Sequence, residues 1–295
     1  MNRELIYHIK KDESILDFLK SEGYPRSILR GFKHSKDNVL LNGDAIFLNH
    51  HAKPGDILTV IIKEDASSEN IIPSPLPISV LFEDEDIILL NKAADMPVHP
   101  SLGNYDNTLA NALAFYYEKK NELFTFRCIT RLDRDTTGVL LIAKNALSAA
   151  ILSKDMVNRK IKRTYLAIAE GLLPQKEGCI DAPIARQETS VISRQVDFSL
   201  GERAITNYKV LHEKNIADKY YSLVQLNLET GRTHQIRVHL KYIGNPLPGD
   251  FLYNPTYDVI KRQALHSSSI EFFHPIKKEK LLIKAPLPYD MQFIL

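Results

Sequence analysis

The apolar positions of the chain change period several times, and each change marks an element. Near the start, Ile15, Leu16 and Leu19 recur at helical spacing, and a second, basic helix is expected after Pro25 through Ser27, Ile28, Leu29 and Arg30. The stretch VLLNGDAIFLNHHAKPGDILTVII then reads as short strands joined by turns at Asn42-Gly43 and Pro54-Gly55. Further on, DIILLNK (86–92) and GVLLIAK (138–144) are apolar runs of the length of buried strands. Residues 145–160 turn helical, with Leu147, Ile151 and Leu152 on one side, and RTYLAIAEG (163–171) returns as a strand. In SLVQLNLETG (222–231) the pattern alternates, placing Val224, Leu226 and Leu228 inward and Gln225, Asn227 and Glu229 outward. Gly231 then turns the chain into a helix expected from about Thr233 to Ile243, with Ile236, Leu240 and Ile243 on one face and Gly244 as its stop.

Between the first strands and the larger remainder lies ASSENIIPSPLPIS (66–79), whose serines and Pro73, Pro75 and Pro77 suit neither a helix nor a central strand. It is the expected linker, dividing a small unit (1–65) from a large one (80–295). No strict alternation of strand and helix runs through the large unit. The expected class is therefore α+β, with a mixed, mostly antiparallel central sheet and flanking helices behind a small α+β unit.

Composition narrows the partners. A chain of 295 residues with 44% apolar and 25% charged side chains can build ordinary globular cores. No apolar run approaches the roughly 18 residues needed to span a bilayer, and the charged start does not read as a signal peptide, so a cytoplasmic location is expected. Cys128 and Cys179 lack CxxC spacing, and His234, His239, His266 and His274 form no HExxH arrangement, so neither a disulfide framework nor a metal site is expected. Net charge is only +2, but the basic residues cluster. Lys20, Arg26, Arg30, Lys33 and Lys36 face a single acid, Glu22; Lys154, Arg159, Lys160, Lys162 and Arg163 face only Asp155. Two such stripes on a nearly neutral protein suit a phosphate backbone held at chosen places, or simply two solvated helix faces.

Four segments could carry chemistry. In ITRLDRDTTGVLLIAK (129–144), Asp133 lies between Arg131 and Arg134, which would favour its ionised form, as a nucleophile or base requires; a surface turn of paired charges would look the same. In residues 228–250, Arg232 and Arg237 follow Gly231, and Arg237 could anchor a carboxylate or phosphate. His234 and His239 read as acid–base groups or as satisfied core histidines. Tyr165, in the apolar strand, could pack locally or stack on a base. The fourth, NKAADMPVHP (91–100), has no chemistry legible by itself.

Taken together, these segments resemble one family. RLDRDTTG is similar to the HRLDxxTSG signature of RluA/RluD-type RNA pseudouridine synthases, and TGRTHQIRVHL to that family's second hallmark. RTYLA resembles its (K/R)xYxA strand, NKAADMPVHP its NKPxGxxVHP loop, and RQALHSSSIEFFHP its closing strand. Order and spacing agree over the whole large unit. The small unit resembles, less specifically, an S4 RNA-binding domain.

The resemblance implies a pseudouridine synthase catalytic domain that isomerises uridine in RNA without a cofactor. Ribosomal RNA is the favoured substrate and tRNA the other, with neither membrane nor obligate protein partner, in a monomer. It makes Asp133 the essential aspartate, Tyr165 the tyrosine against the target base and a proton acceptor, and Arg237 the partner of Asp133. Arg131 would brace the gap left by a flipped nucleotide, with Arg134, Arg232, His234 and Gln235 beside it on the substrate. Arg26, Arg30, Lys33 and Lys36 would hold RNA on the small unit. The chain departs from the pattern at Thr130 (usually His), Thr137 (usually Ser), Ala93 (usually Pro) and Asp95 (usually Gly). Those departures motivate a rival reading, an RNA-binding assembly factor without catalysis. A hydrolase using paired carboxylates is a second rival, with Asp135 the only nearby second acid.

Overall fold

A computed structural model describes residues 2–32, 36–64, 67–68 and 70–295. The small unit is a four-stranded antiparallel sheet in the order Arg3–His8, Ile57–Ile62, Val39–Leu41, Asp44–Ala45. Helices α1 (Ile15–Ser21) and α2 (Arg26–Phe32) pack on it. Ser14 caps α1 by accepting from the Asp17 amide, which satisfies one otherwise unpaired N–H of the first turn. At the Asn42-Gly43 turn both residues have positive φ, 52° and 93°, as a two-residue hairpin loop demands.

The large unit is built on one ten-stranded sheet. Its main path runs Glu177–Asp181, Ile205–Ile216, Lys219–Leu228, Lys162–Glu170, Leu265–Phe273, Thr137–Ala143, Ile87–Lys92, Val80–Glu83. Lys280–Lys284 pairs beside Leu265–Phe273, and Arg127–Cys128 beside Thr137–Ala143. Every pairing is antiparallel except the central one, where Thr137 and Gly138 run parallel to His266 and Ser267. The sheet is thus mixed and mostly antiparallel, as the patterning implies.

The continuous apolar runs have a physical reason. Ile87, Leu89, Val139 and Leu141 face α4 (Ala146–Val157), while Ile88, Leu90, Leu140 and Ile142 face α3 (Leu109–Lys119). Both faces of these strands are covered, so no polar alternation survives. In the other half, Val224 and Leu226 pack toward α5 (Gln235–Tyr242), but Leu223 is also buried, against Ile260 and Met291 on the opposite face. That face of the strand, expected to point outward, is therefore partly covered by the C-terminal residues. Helix α3 escaped the sequence reading, although Thr108 and Asn111 form a capping box at its start.

The proline-rich stretch has no helix or strand through residues 71–79, in keeping with its composition. It lies along α3: Asn111 Nδ2 donates to the Ile72 carbonyl at 2.7 Å, and Ser74 N–H donates to the Asn111 carbonyl at 3.1 Å. The small unit also rests on the large one. Leu147 of α4 joins its core, Arg3 forms a two-pronged pair with Asp86 at 2.9 and 3.0 Å, and Glu64 accepts from Arg127 at 2.7 Å and from the Ala146 N–H at 2.9 Å. Among the described residues no helix is long and apolar enough to cross a membrane.

Candidate active site

The segment 129–136 leads into strand Thr137–Ala143 over the junction of the two halves, where Leu132 packs against the core clusters of both. The Thr136 N–H donates to the Asp133 carbonyl at 3.1 Å, closing a turn that presents the Asp133 side chain. Arg237 Nη1 donates to Asp133 Oδ2 at 2.8 Å, so the two residues join across 104 positions of sequence. Arg237 is itself gripped from behind: its Nε and Nη2 donate to the two oxygens of Asp250, each at 2.7 Å. Arg237 and Asp250 are buried, whereas Asp133 keeps 28% of its side chain exposed. Burial works against the guanidinium's charge, but Asp250 and Asp133 outweigh it and raise the Arg237 pKa. A planar fork held bidentately on one side leaves Nη1 to fix the Asp133 carboxylate on the other. Asp250 has no assigned role in the sequence reading, where Gly249-Asp250 is only a turn. Its signal is an acid in an otherwise apolar neighbourhood.

His234 lies in the left-handed region at φ 57°, and α5 begins after it at Gln235, two residues later than the periodicity suggests. Its Nε2 is 3.9 Å from Asp133 Oδ1, and its Nδ1 is 2.9 Å from the Tyr253 hydroxyl, which accepts from the Arg194 N–H at 2.8 Å. Burial lowers the His234 pKa, with Asp133 opposing, so the ring is neutral at pH 7. Gln235 is buried and fully engaged by protein. Its Oε1 accepts from Thr230 and from the Arg232 N–H, and its Nε2 donates to the Ile205 carbonyl and Thr206. It therefore shapes the turn under the site, and it also lines a small cavity with Asp133 and Tyr165. His239 is likewise a satisfied core histidine, between Thr206 and the Ala182 carbonyl, each at 2.8 Å.

Tyr165 closes the inner wall. It shares with Asp133, Arg131, His234 and Arg237 a small cavity of about 70 Å³. Burial raises its pKa, Asp133 adds to the rise, and Arg163 opposes them. The cavity meets a cleft of about 760 Å³ along shared walls at Arg131, Asp133, Arg232 and His234, and Arg159 and Arg163 complete the cleft's basic lining. Arg232 is exposed and paired with Glu202. Buried Arg163 Nε has no hydrogen-bond partner. Arg134 points away from this cleft, toward Asp95 at 2.8 Å and Asp135 at 3.7 Å. Helix α2 exposes Arg26 and Arg30; Lys33 and the side chain of Lys36 lie outside the described residues.

The departures from the family pattern have structural roles. Thr130 is buried, and its hydroxyl accepts from the Leu141 N–H at 3.1 Å, tying the loop to its strand. Thr137 hydrogen-bonds His266 Nδ1 at 2.8 Å. Asp95 stands where the pattern has glycine because the backbone there is left-handed, at φ 54°; aspartate is among the few other residues that tolerate it. Lys92 was not singled out from sequence. It is buried and donates to the carbonyls of Ala93, Met96 and Arg134 at 2.7–2.8 Å, binding the 93–98 loop to the 129–136 loop. Burial pulls its pKa down to about 7 against the opposing charges of Asp135 and Asp133. Among the described residues, one group has the spacing of metal ligands: Asp84, Asp86 and His274. Its carboxylates already hold Lys277 and Arg3, which argues for a structural role.

The sequence profile of the RNA pseudouridylate synthase family matches residues 86–242. The uncharacterized RNA pseudouridine synthase YjbO of Bacillus subtilis (strain 168) is 37% identical over 278 residues, 94% of this chain and 96% of that protein. Ribosomal large subunit pseudouridine synthase D of Pasteurella multocida (strain Pm70) is 36% identical over 281 residues, 90% of this chain and 85% of that one. Among solved structures, human RNA pseudouridylate synthase domain containing 1 superposes with a TM-score of 0.61 at 26% identity, over 72% of this chain and 84% of that one. The family profile and these relatives show that the chain belongs to the RluA/RluD type of RNA pseudouridine synthases.

Proposed function

We infer that the chain converts specific uridines of large-subunit ribosomal RNA to pseudouridine, with Asp133 as the reacting carboxylate and without a cofactor. The observation that carries this reading is the carboxylate itself: partly exposed, fixed by a buried arginine, and set between a small open cavity and an arginine-lined cleft. The ribosomal assignment leans on relatives named for the large subunit; tRNA is the competing substrate. On this reading the protein works as a cytoplasmic monomer without an obligate protein partner. Residues 1–65 act as an S4-like RNA-binding module through Arg26 and Arg30, joined by 66–79 to the catalytic unit (80–295).

The target base would leave its stack, at a cost of a few kcal/mol, and enter the cavity beside Tyr165. Phosphates would lie along Arg131, Arg159, Arg163 and Arg232, where their contacts position the RNA without reading it. The bond from ribose C1′ to uracil N1 breaks, the ring turns, and a bond from C1′ to C5 forms. The C5 proton is then lost and N1 ends protonated, so atoms balance with no group imported. Asp133 acts either on C1′ or on the C2′ proton. Arg237 keeps Asp133 oriented through either route, and His234 adds a neutral ring nearby. The raised pKa of Tyr165 makes it a phenol at neutral pH, suited to packing on the base. To accept the C5 proton it would have to shed its own, which the neighbouring Arg163 guanidinium favours.

The test is pseudouridine mapping of total RNA from cells with and without the gene, complemented by wild type or Asp133→Asn. A site lost on deletion and restored only by wild type is expected. Equal restoration by Asp133→Asn would refute the role of the carboxylate. A complete set of sites in the deletion, with RNA still bound by the protein, would favour the assembly-factor reading.

A further inference from the structure

A second large cavity lies apart from the arginine cleft. It measures about 1120 Å³ and has Arg134 and Asp135, which follow Asp133 in the 129–136 loop, among its lining residues. Three aromatic rings on its walls are far more exposed than buried packing would leave them: Phe251 at 52%, Tyr257 at 38% and Tyr289 at 90%. Val259, Ile260 and Phe293 supply further apolar wall.

The charges of this cavity differ from those of the cleft. Its cations are Arg134, Lys261 and Arg262, and its acids Asp95, Asp135 and Asp290. Most are already paired. Arg262 holds Asp290 through two bonds at 2.7 and 2.8 Å, and Arg134 holds Asp95 at 2.8 Å. The sum is neutral, so nothing draws a phosphate here, whereas the cleft sets Arg131, Arg159, Arg163 and Arg232 against Asp133 and Glu229. The Phe251 ring of this cavity lies 5.6 Å from the guanidinium carbon of Arg237, the arginine that holds Asp133.

We propose that this aromatic cavity is a second RNA subsite, which takes an unstacked nucleobase near the target uridine while the arginine cleft holds the backbone. The inference rests on the reading of the chain as an RNA-modifying enzyme, and it adds a substrate preference: single-stranded or looped RNA over continuous duplex. Every base has a π-face, and stacking on an exposed tyrosine needs no compensating charge. A neutral apolar cavity with exposed rings has the chemistry for a base and lacks that for a phosphate.

The test uses the full chain and two RNA probes, a single-stranded dodecamer carrying one 2-aminopurine and a perfect duplex of the same length. Binding is read by anisotropy, and stacking by quenching of the 2-aminopurine. Tyr257→Ala/Tyr289→Ala should weaken binding of the single strand about tenfold and abolish the quench, while duplex binding stays unchanged. Tyr257→Phe/Tyr289→Phe should restore both, because the ring and not the hydroxyl is required. Tyr289→Ala alone, at a surface position where folding is not at stake, should give part of the loss. Equal single-strand affinity and quench in wild type and the alanine variants would overturn the subsite. Equal weakening of both probes would overturn it as well, since the loss would then not concern an unstacked base. Failure of the wild type to bind either probe would instead strike the RNA-binding reading itself, and the subsite with it.

Discussion

At the scale of single residues the site is a chain of three charges: Asp250, Arg237, Asp133. The first two are buried and the last faces the cavity, so their substitutions should part company. Asp133→Asn should abolish pseudouridine formation while leaving stability within about 1 kcal/mol of wild type, since Arg237 keeps both bonds to Asp250. Asp250→Ala should also abolish activity but lower stability by about 3–5 kcal/mol, because it strands a buried guanidinium. Urea unfolding of the two variants beside wild type checks this; equal stability of Asp250→Ala and Asp133→Asn would refute the anchoring role. The sequence alone left Asp133 equal to any surface turn of paired charges, and Arg237 equal to any helix arginine. Only the family resemblance joined them, because a contact spanning 104 positions leaves no local periodicity to read. Asp250 and Lys92 stayed hidden for a related reason. Their partners are, respectively, a distant guanidinium and backbone carbonyls, and carbonyls are identical at every position of a sequence.

At the scale of elements, legibility followed burial geometry. Strands 87–92 and 137–143 were plain because both faces are covered, which fills every position with apolar side chains. The start of α5 was misplaced by two residues because Gln235 and the left-handed His234 replace an ordinary cap with a side chain folded back onto the preceding turn. Helix α3 was missed because its apolar residues serve a face shared with tyrosines and lysines, which blurs the stripe. The element most exposed to a test is the central parallel junction. Gly138 has φ +109°, and a Cβ there would fall 2.1 Å from the Ser267 carbonyl oxygen, which is backbone and cannot swing aside. Gly138→Ala should therefore cost more than about 3 kcal/mol, combining backbone strain with a clash. Gly31→Ala in α2, where nothing lies within 4 Å, should be neutral or stabilising by up to about 1 kcal/mol. Thermal melts of both variants decide the matter; a Gly138→Ala protein as stable as Gly31→Ala would show that the sheet yields at its centre.

At the scale of the whole molecule, the basic stripes inferred from sequence belong to one surface problem. Ile151 of α4 would lie 3.1 Å from a Cβ on Gly23, so the turn between α1 and α2 approaches α4. Arg159, just past the end of α4, lines the arginine cleft beside Asp133. Phosphates held by α2 and by the cleft would then belong to the same RNA. Binding that neutralises phosphates releases counterions, and affinity falls with salt in proportion to their number, by about 0.7 logarithmic units per contact for single strands. Arg26→Ala/Arg30→Ala should thus weaken RNA binding and reduce the magnitude of the slope of log K against log salt by up to about 1.4. The substitutions lie on exposed positions, so the fold and the Asp133–Arg237 pair should be untouched. Salt titrations of RNA binding between 50 and 200 mM, a range chosen to span about a fourfold change in ionic strength, measure the slope directly. A reduced slope would make the small unit part of the RNA-binding surface, as the S4-like reading requires. An unchanged slope would confine the phosphate contacts to the large unit and leave the basic face of α2 a solvated surface.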